Sequence, residues 1–170
     1  MKIIFVDGYN VINCWPELKD IKEYSFEAAR NKLVEILNNY ATFRGYRLYI
    51  IFDAHLVKGS IEKRERVNDR LHVVFTKEGE TADAFIEKAV DEIGRKADVS
   101  VVTSDSLEQQ VIFQRGAVRI SSIEFYHEVR DAETKIKGNI EKRYSHKKHK
   151  LEEVVNKDVL EKLEKIRRSN

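Results

Sequence analysis

The chain has 170 residues with 31 Lys and Arg against 29 Asp and Glu, a net charge of +2 that alone points to no charged partner. Its single cysteine, Cys14, excludes an internal disulfide and a thiolate zinc cluster and suits a reducing cytosol. No apolar run nears the roughly 20 residues that span a bilayer, and the N-terminus shows no secretory pattern, so a soluble cytoplasmic protein is expected.

The opening stretch, Met1–Asn13, begins with the apolar run Ile3-Ile4-Phe5-Val6, the pattern of a strand buried on both faces. It ends in Asp7 and Gly8, where glycine lets the chain turn, and Asn10 adds a short amide able to hold a carboxylate or a bound water. A loop containing Trp15-Pro16 follows. Ser25 then caps a helix that ends near Gly45 and carries Phe26, Ala29, Leu33, Ile36, Leu37 and Tyr40 on one face. Arg47–Asp53 repeats the first pattern, an apolar strand closed by an aspartate. From Ala54 to Arg70 periodicity is weak and charge dense, which reads as a mobile surface segment, partly helical. Leu71–Thr76 is a third strand, and Thr81 caps the helix after it, whose apolar side is Ala84, Phe85, Ala89, Val90 and Ile93. Val99–Asp105 is again a strand ending in aspartate. A short helix, Leu107–Arg115, and a last strand, Ala117–Ile120, come next. A helix from about Ser122 is expected to bury Ile123, Val129 and Ile136. Beyond a basic segment, Leu151, Val154, Val155, Leu160, Leu163 and Ile166 mark a terminal amphipathic helix.

Strands alternating with helices imply a mostly parallel sheet covered on both faces, with ligands received beyond the carboxyl ends of the strands. Three strands end there in Asp7, Asp53 and Asp105. Asp83 starts a helix at the same edge, and Glu87 lies one turn further along it. Each of these acids has a bland reading as a turn cap, a helix-end charge or a lysine partner. Together they make a negative cluster that must raise carboxyl pKa values or bind a divalent cation. Oxygen-only donors favour Mg²⁺ or Mn²⁺ over zinc, and such ions bind phosphate oxygens and activate water, so hydrolysis of nucleic acid is the first hypothesis. Tyr9, Trp15 and Tyr24 near the first loop are candidates for base stacking or for core packing. His146 and His149 have a metal-binding spacing but lie in a solvated polycation.

Charge is segregated: Lys135–Lys150 holds seven basic residues and one acid, a local +6 that leaves −4 on the remainder. Lys142, Arg143, Lys147, Lys148 and Lys150 in this segment, and Lys58, Lys63, Arg64, Arg66 and Arg70 in the charged segment after the second strand, are the candidate nucleic-acid contacts.

Asp7-Gly8-Tyr9-Asn10-Val11-Ile12, Phe52-Asp53-Ala54, Val74 through Asp83 with Ile86-Glu87, and Val102-Thr103-Ser104-Asp105 through Ser121 resemble the YacP-like branch of the NYN domain ribonucleases, within the PIN-like nuclease superfamily. The resemblance covers nearly the whole chain, and its Thr76–Asp83 segment is specific. It implies a three-layer α/β PIN-like (Rossmann-like) fold of strand order 3-2-1-4-5, a nuclease domain over 1–134 and a basic helical extension over 135–170. It also implies a metal-dependent endoribonuclease acting on mRNA at the ribosome, with no DNA or membrane partner. By the same resemblance Asp7, Asp83 and Asp105 are the catalytic and metal-ligating acids, with Asn10, Asp53, Glu87 and Ser104 in support. Two other classes remain open. A phosphatase with a first-strand nucleophilic aspartate usually has a second acid where this chain has Tyr9. A non-catalytic RNA-binding or ribosome-docking module would keep the acids only as a vestige.

Overall fold

The computed structural model describes residues 1–54, 58–104 and 116–169. In chain order the elements are β1 (Lys2–Asp7), α1 (Gly8–Cys14), α2 (Pro16–Lys22), α3 (Phe26–Arg44), β2 (Arg47–Phe52), β3 (Lys63–Arg66), β4 (Leu71–Phe75) and α4 (Ala82–Ile93). A 3₁₀ turn, Gly94–Lys96, leads to β5 (Asp98–Val102), β6 (Val118–Ile120) and α5 (Ser122–Arg168). Asp105 and the expected helix Leu107–Arg115 fall outside the described residues. The chain divides into two compact units, Met1–Ala132 and Glu133–Asn170.

The six strands stand in the order β3-β4-β2-β1-β5-β6. All neighbours pair in parallel except β3 with β4. The five parallel strands therefore follow the expected 3-2-1-4-5 order. The added edge strand corrects the reading of the charged segment as partly helical. Lys63-Arg64-Glu65-Arg66 has no apolar residue to reveal a strand, all four are exposed, and the backbone pairing with β4 alone makes it one. Its charged edge also discourages edge-to-edge association.

Alternation along the strands divides the core between two faces. Ile4, Val6, Leu48, Ile50, Phe52, Leu71 and Val73 pack with α1, α2, α3 and the start of α5. Phe5, Ile51, Val74, Val99 and Val101 pack with Phe85, Ile86 and Val90 of α4. The long helix α3 keeps its expected bounds: Ser25 Oγ accepts from the Ala28 N–H, and Gly45 ends it at φ 72°.

Around Trp15-Pro16 there are two short helices rather than a loop. Pro16 occupies the first turn of α2, where a missing N–H costs nothing. Trp15 is buried between them, against Phe125 and Tyr126, and its indole N–H donates to Ser122 O at 2.9 Å. It belongs to the core.

The last helix also departs from expectation. It is one element of 47 residues, with no break at the basic segment. Ser121 and Glu124 start it with a reciprocal capping box: the Ser121 N–H donates to Glu124 Oε2 at 2.8 Å and the Glu124 N–H to Ser121 Oγ at 3.2 Å. Phe125, Val129 and Ala132 then follow at helical spacing as its buried side. Ile123, two residues and about 200° from Phe125, faces away and is 60% exposed.

Gly8 is not in a left-handed conformation, so the turn is not what requires it. A Cβ there would stand 2.3 Å from the Phe52 ring. The glycine admits the ring that closes the end of β2. Gly8→Ala is expected to lower stability by about 1–3 kcal/mol through overpacking, read by denaturant unfolding, and Phe52→Leu in the same chain should recover part of that loss.

Candidate active site

Parity along the sheet decides which carboxylates can meet. Asp7 is two residues beyond Phe5, and Asp53 two beyond Ile51, and both apolar residues belong to the face covered by α4. Register places Asp7 opposite Ile51, so Asp53 comes just past it on the neighbouring strand. The N-terminus of α4, which carries Asp83 in its first turn, opens onto the same edge.

Local hydrogen bonds hold each acid. Asp7 caps α1, with Oδ1 accepting from the Asn10 N–H at 3.1 Å. Asp53 Oδ2 accepts from the Ala82 N–H at 3.3 Å, so the acid of β2 also caps α4. Thr81 supplies the other cap of α4 through the Ala84 N–H, at 3.2 Å. The helix dipole lowers the cost of two carboxylates at this end.

Asp7 carries the electrostatic strain. Burial pushes its carboxyl up from the ordinary 3.8 to about 6, with Asp83 and Asp53 adding to the rise and the Asn10 N–H opposing it. Acids from β1, β2 and α4 thus share one field. Among the described residues no three acidic, histidine or cysteine side chains stand ready to hold a metal ion. The donor chemistry, acidic and all oxygen, nevertheless fits a hard divalent cation. Asp105 lies outside the described residues, and Glu87 is half-buried one turn along α4 from Asp83.

Asn10 and Ser104 are part of a hydrogen-bonded knot. Asn10 Oδ1 accepts from the Ser104 N–H at 3.2 Å and from the Ser122 hydroxyl. The Ser122 N–H reaches Ser104 Oγ at 3.4 Å. These donors fix which end of the amide is oxygen and occupy it. What Asn10 can offer a ligand is its NH₂ group, a donor suited to a carboxylate or a phosphate oxygen. Ser122 is buried at the start of α5, and nothing in its sequence setting marks it as part of the site.

The segment from Thr76 to Asp83 gains a physical explanation here. The Thr76 N–H donates to Phe52 O at 3.0 Å, and Thr76 Oγ1 accepts from the Ala54 N–H at 2.9 Å. The two residues flanking Asp53 are thereby pinned to the end of β4. Glu78 Oε2 accepts from the Gly59 N–H at 2.7 Å, and the Glu78 N–H donates to Ser60 O at 2.9 Å. Thr76 falls in the segment that carries the resemblance, but its role in holding Asp53 was missed, because a strand-terminal threonine gives no sign of the backbone it will bind.

The basic residues of the charged segment do not act as one group. Lys63 pairs in register with Phe75, at the carboxylate edge, and ion-pairs with Glu65 at 2.5 Å. Arg64 pairs with Glu62 at 2.5 Å and lies 5.6 Å from the Phe85 ring. Arg66 stands opposite His72 and pairs with Asp69, while Arg70 donates to Gly45 O at 2.9 Å. Arg66 and Arg70 are therefore toward the opposite edge of the sheet, several residues of strand from Asp7. Lys58 is exposed. Lys142, Arg143, Lys147, Lys148 and Lys150 are all exposed on α5.

One cation unforeseen from the pattern does sit at the carboxylate edge. Arg30 of α3 donates through Nη1 to the Tyr9 hydroxyl at 3.4 Å and stands 5.9 Å from the Phe75 ring. Its only sequence signal is a charge one turn after Phe26, beside the apolar stripe of α3.

Comparison with known proteins agrees with this architecture. The model of the YacP-like NYN domain matches residues 4–168. The protein named "Uncharacterized protein YacP" from Bacillus subtilis (strain 168) is 44% identical over 172 residues, covering 100% of this chain and 99% of that protein. The crystal structure of Rae1 (YacP) from Bacillus subtilis superposes with a TM-score of 0.75 at 42% identity, over 99% of this chain and 95% of that one. The crystal structure of a tryptophan-to-leucine mutant of Rae1 gives 0.70 at 41% identity, over 82% of this chain and 81% of that one. With a family match that runs almost end to end and a relative 44% identical over the whole chain, the chain belongs to the YacP-like NYN domain family.

Proposed function

We propose that this protein is a divalent-metal-dependent endoribonuclease that hydrolyses phosphodiester bonds of single-stranded RNA, with mRNA on the ribosome as its substrate. Membership of the NYN domain family supports an RNA-directed, nuclease-like role. The observation that carries the proposal is the gathering of Asp7, Asp53 and Asp83 at one edge of the sheet, where register sets Asp7 beside the end of β2 and Asp53 caps the helix that carries Asp83; the raised carboxyl of Asp7 accords with it. Asp7, Asp83 and Asp105 are the acids assigned to hold Mg²⁺ or Mn²⁺, with Asn10, Asp53, Glu87 and Ser104 in support.

When bound, the ion supplies an activated water and charge neutralisation on the phosphate. The chain's own residues do the rest. Asp7, anchored by the Asn10 N–H, presents a carboxylate whose charge is poorly compensated by the protein. Asp53 holds the N-terminus of α4 so that Asp83 stays at the same edge. The NH₂ of Asn10, its oxygen occupied by Ser104 and Ser122, is left as a donor to a ligand oxygen. The basic residues of α5 supply phosphate contacts outside the acidic centre, since a carboxylate cluster repels a polyanion.

Three outcomes test this reading. Purified protein should cut single-stranded RNA with Mg²⁺ or Mn²⁺ and stop with chelator, and Asp7→Asn should abolish cutting while RNA still binds. Equal RNA binding with and without divalent ion, and no cutting under any condition, would instead identify a binding module.

The second outcome concerns stability. The Asp7 acid has a higher pKa folded than unfolded, so the folded chain holds the proton more tightly and ionisation costs stability. The cost is absent below about pH 4, grows between about pH 4 and pH 6, and is complete above, on the order of 2–3 kcal/mol. In chelator at pH 7.5, Asp7→Asn should therefore melt higher than wild type, with the difference shrinking toward pH 4. Added Mn²⁺ should raise the wild-type melting temperature and leave that of Asp7→Asn unmoved.

The third is electrostatic. Reversing Lys147, Lys148 and Lys150 to Glu should weaken RNA binding and flatten its salt dependence, by about 0.7 in log–log slope for every phosphate no longer neutralised. The cleavage rate at saturating RNA should hold, and an unchanged slope would exclude these residues from RNA contact.

A further inference from the structure

Beside the carboxylates, the turn between α2 and α3 and the first turns of α3 present rings and cations together. Tyr24, in that turn, is 92% exposed, and Phe26 at the start of α3 is 46% exposed. An isolated exposed ring needs no explanation. Here Phe26, two residues after Tyr24, is joined ring to ring with the end of β2. Phe26 meets Tyr9 edge to face at 5.8 Å, and Tyr9 meets Phe52 in the same way at 5.2 Å. Tyr9 is two residues from Asp7, and Phe52 directly precedes Asp53.

Two cations accompany these rings, one at Phe26 and one at Tyr9. Lys22 Nζ is held by Asn13 Oδ1 at 2.7 Å and stands 5.8 Å from the Phe26 centroid. Arg30, positioned by the Tyr9 hydroxyl and the Phe75 ring, is half-buried next to the acidic edge. Flat apolar surfaces interleaved with fixed positive charges match the chemistry of a single strand, in which unpaired bases alternate with phosphates. A duplex, with its bases already stacked, has no use for exposed rings.

We propose that Tyr24, Phe26 and Tyr9, together with Lys22 and Arg30, form a track that leads single-stranded RNA to the carboxylates. Bases flanking the cleaved bond stack on Tyr24 and Phe26, and Arg30 binds a phosphate next to the one that reacts. The track rests on the reading of this chain as an RNA nuclease and adds to it the path of the strand, on the α1–α3 side of the sheet. It also accounts for how a polyanion approaches a cluster of acids: a fixed cation, Arg30, stands on the neighbouring phosphate.

The test uses the full chain in EDTA with a fluorescently labelled single-stranded RNA, so that binding is read without cleavage. Tyr24→Ala should weaken binding about tenfold, within the range of removing a single base–ring stack, and Tyr24→Phe should restore it. Tyr24 is too exposed for its removal to unfold the chain. Single abasic nucleotides are then placed along the RNA. At one position the abasic RNA should bind wild type more weakly and make Tyr24→Ala without further effect. Wild-type affinity for Tyr24→Ala, or the same penalty at every abasic position, would overturn the stacking. Arg30→Gln should lower the log–log salt slope by about 0.7, the value for one single-strand phosphate. Weaker binding at an unchanged slope would overturn the role given to Arg30. A separate cleavage assay in Mn²⁺ distinguishes this proposal from the one it rests on. RNA bound along the track but never cut would sink the nuclease reading alone. RNA cut equally well at limiting concentration by wild type and Tyr24→Ala would sink the track alone.

Discussion

The carboxylate of Asp7 stands where burial and two neighbouring acids oppose its ionisation, and the surrounding structure is arranged to hold it there. Parallel pairing brings the ends of β1 and β2 to one edge, and the alternation of side chains turns Asp7 and Asp53 toward the face covered by α4. Asp53 then binds the first N–H of α4, which keeps Asp83 at the same edge. If β1 slipped by one residue against β2, Asp7 would move to the opposite face and the shared field would vanish. The apolar interior of the sheet therefore does more than stabilise the fold: it makes that slip prohibitively costly, because every buried side chain of the strand would change faces with Asp7.

An uncompensated acid is an expense that a merely stable protein would avoid. Its neighbours are not placed to neutralise it. The basic residues of β3 are engaged with Glu62, Glu65 and Asp69, and Arg30 is held by Tyr9 and Phe75. Negative charge is thus kept available at the carboxyl edge while these cations are engaged by other groups. That arrangement is what the proposed binding of a hard cation would draw on.

Much of this was legible in the sequence because it rests on short, periodic signals. Apolar runs ending in Asp7 and Asp53 marked the strands and the edge where their acids gather, Ser25 and Gly45 bounded α3, and Thr81 announced α4. What was hidden depended on contacts between distant residues. Lys63–Arg66 is a strand only because β4 offers a free edge, and its composition says nothing of that. Gly8 looked like a turn residue, yet its role is set by the ring of Phe52 on the next strand. Trp15 and Tyr24 were equivalent candidates for stacking until packing buried one and exposed the other. Ser122 enters the site through Asn10, 112 residues earlier, and no local pattern could have shown it.

The ties between the chain after β2 and the chain before α4 constrain how this family of sequences can vary in length. Thr76 fastens both sides of Asp53, and Glu78 fastens Gly59 and Ser60, so two connections that look independent share their anchors. Most surface loops absorb an inserted residue with little effect. Between Thr76 and Thr81 one extra residue would have to be taken up within a few positions, either detaching Glu78 from its partners or turning the start of α4 away from Asp53. Insertions should be tolerated poorly here and readily in the 3₁₀ turn Gly94–Lys96, which means that the length of this stretch, as much as its acids, is part of what specifies the site.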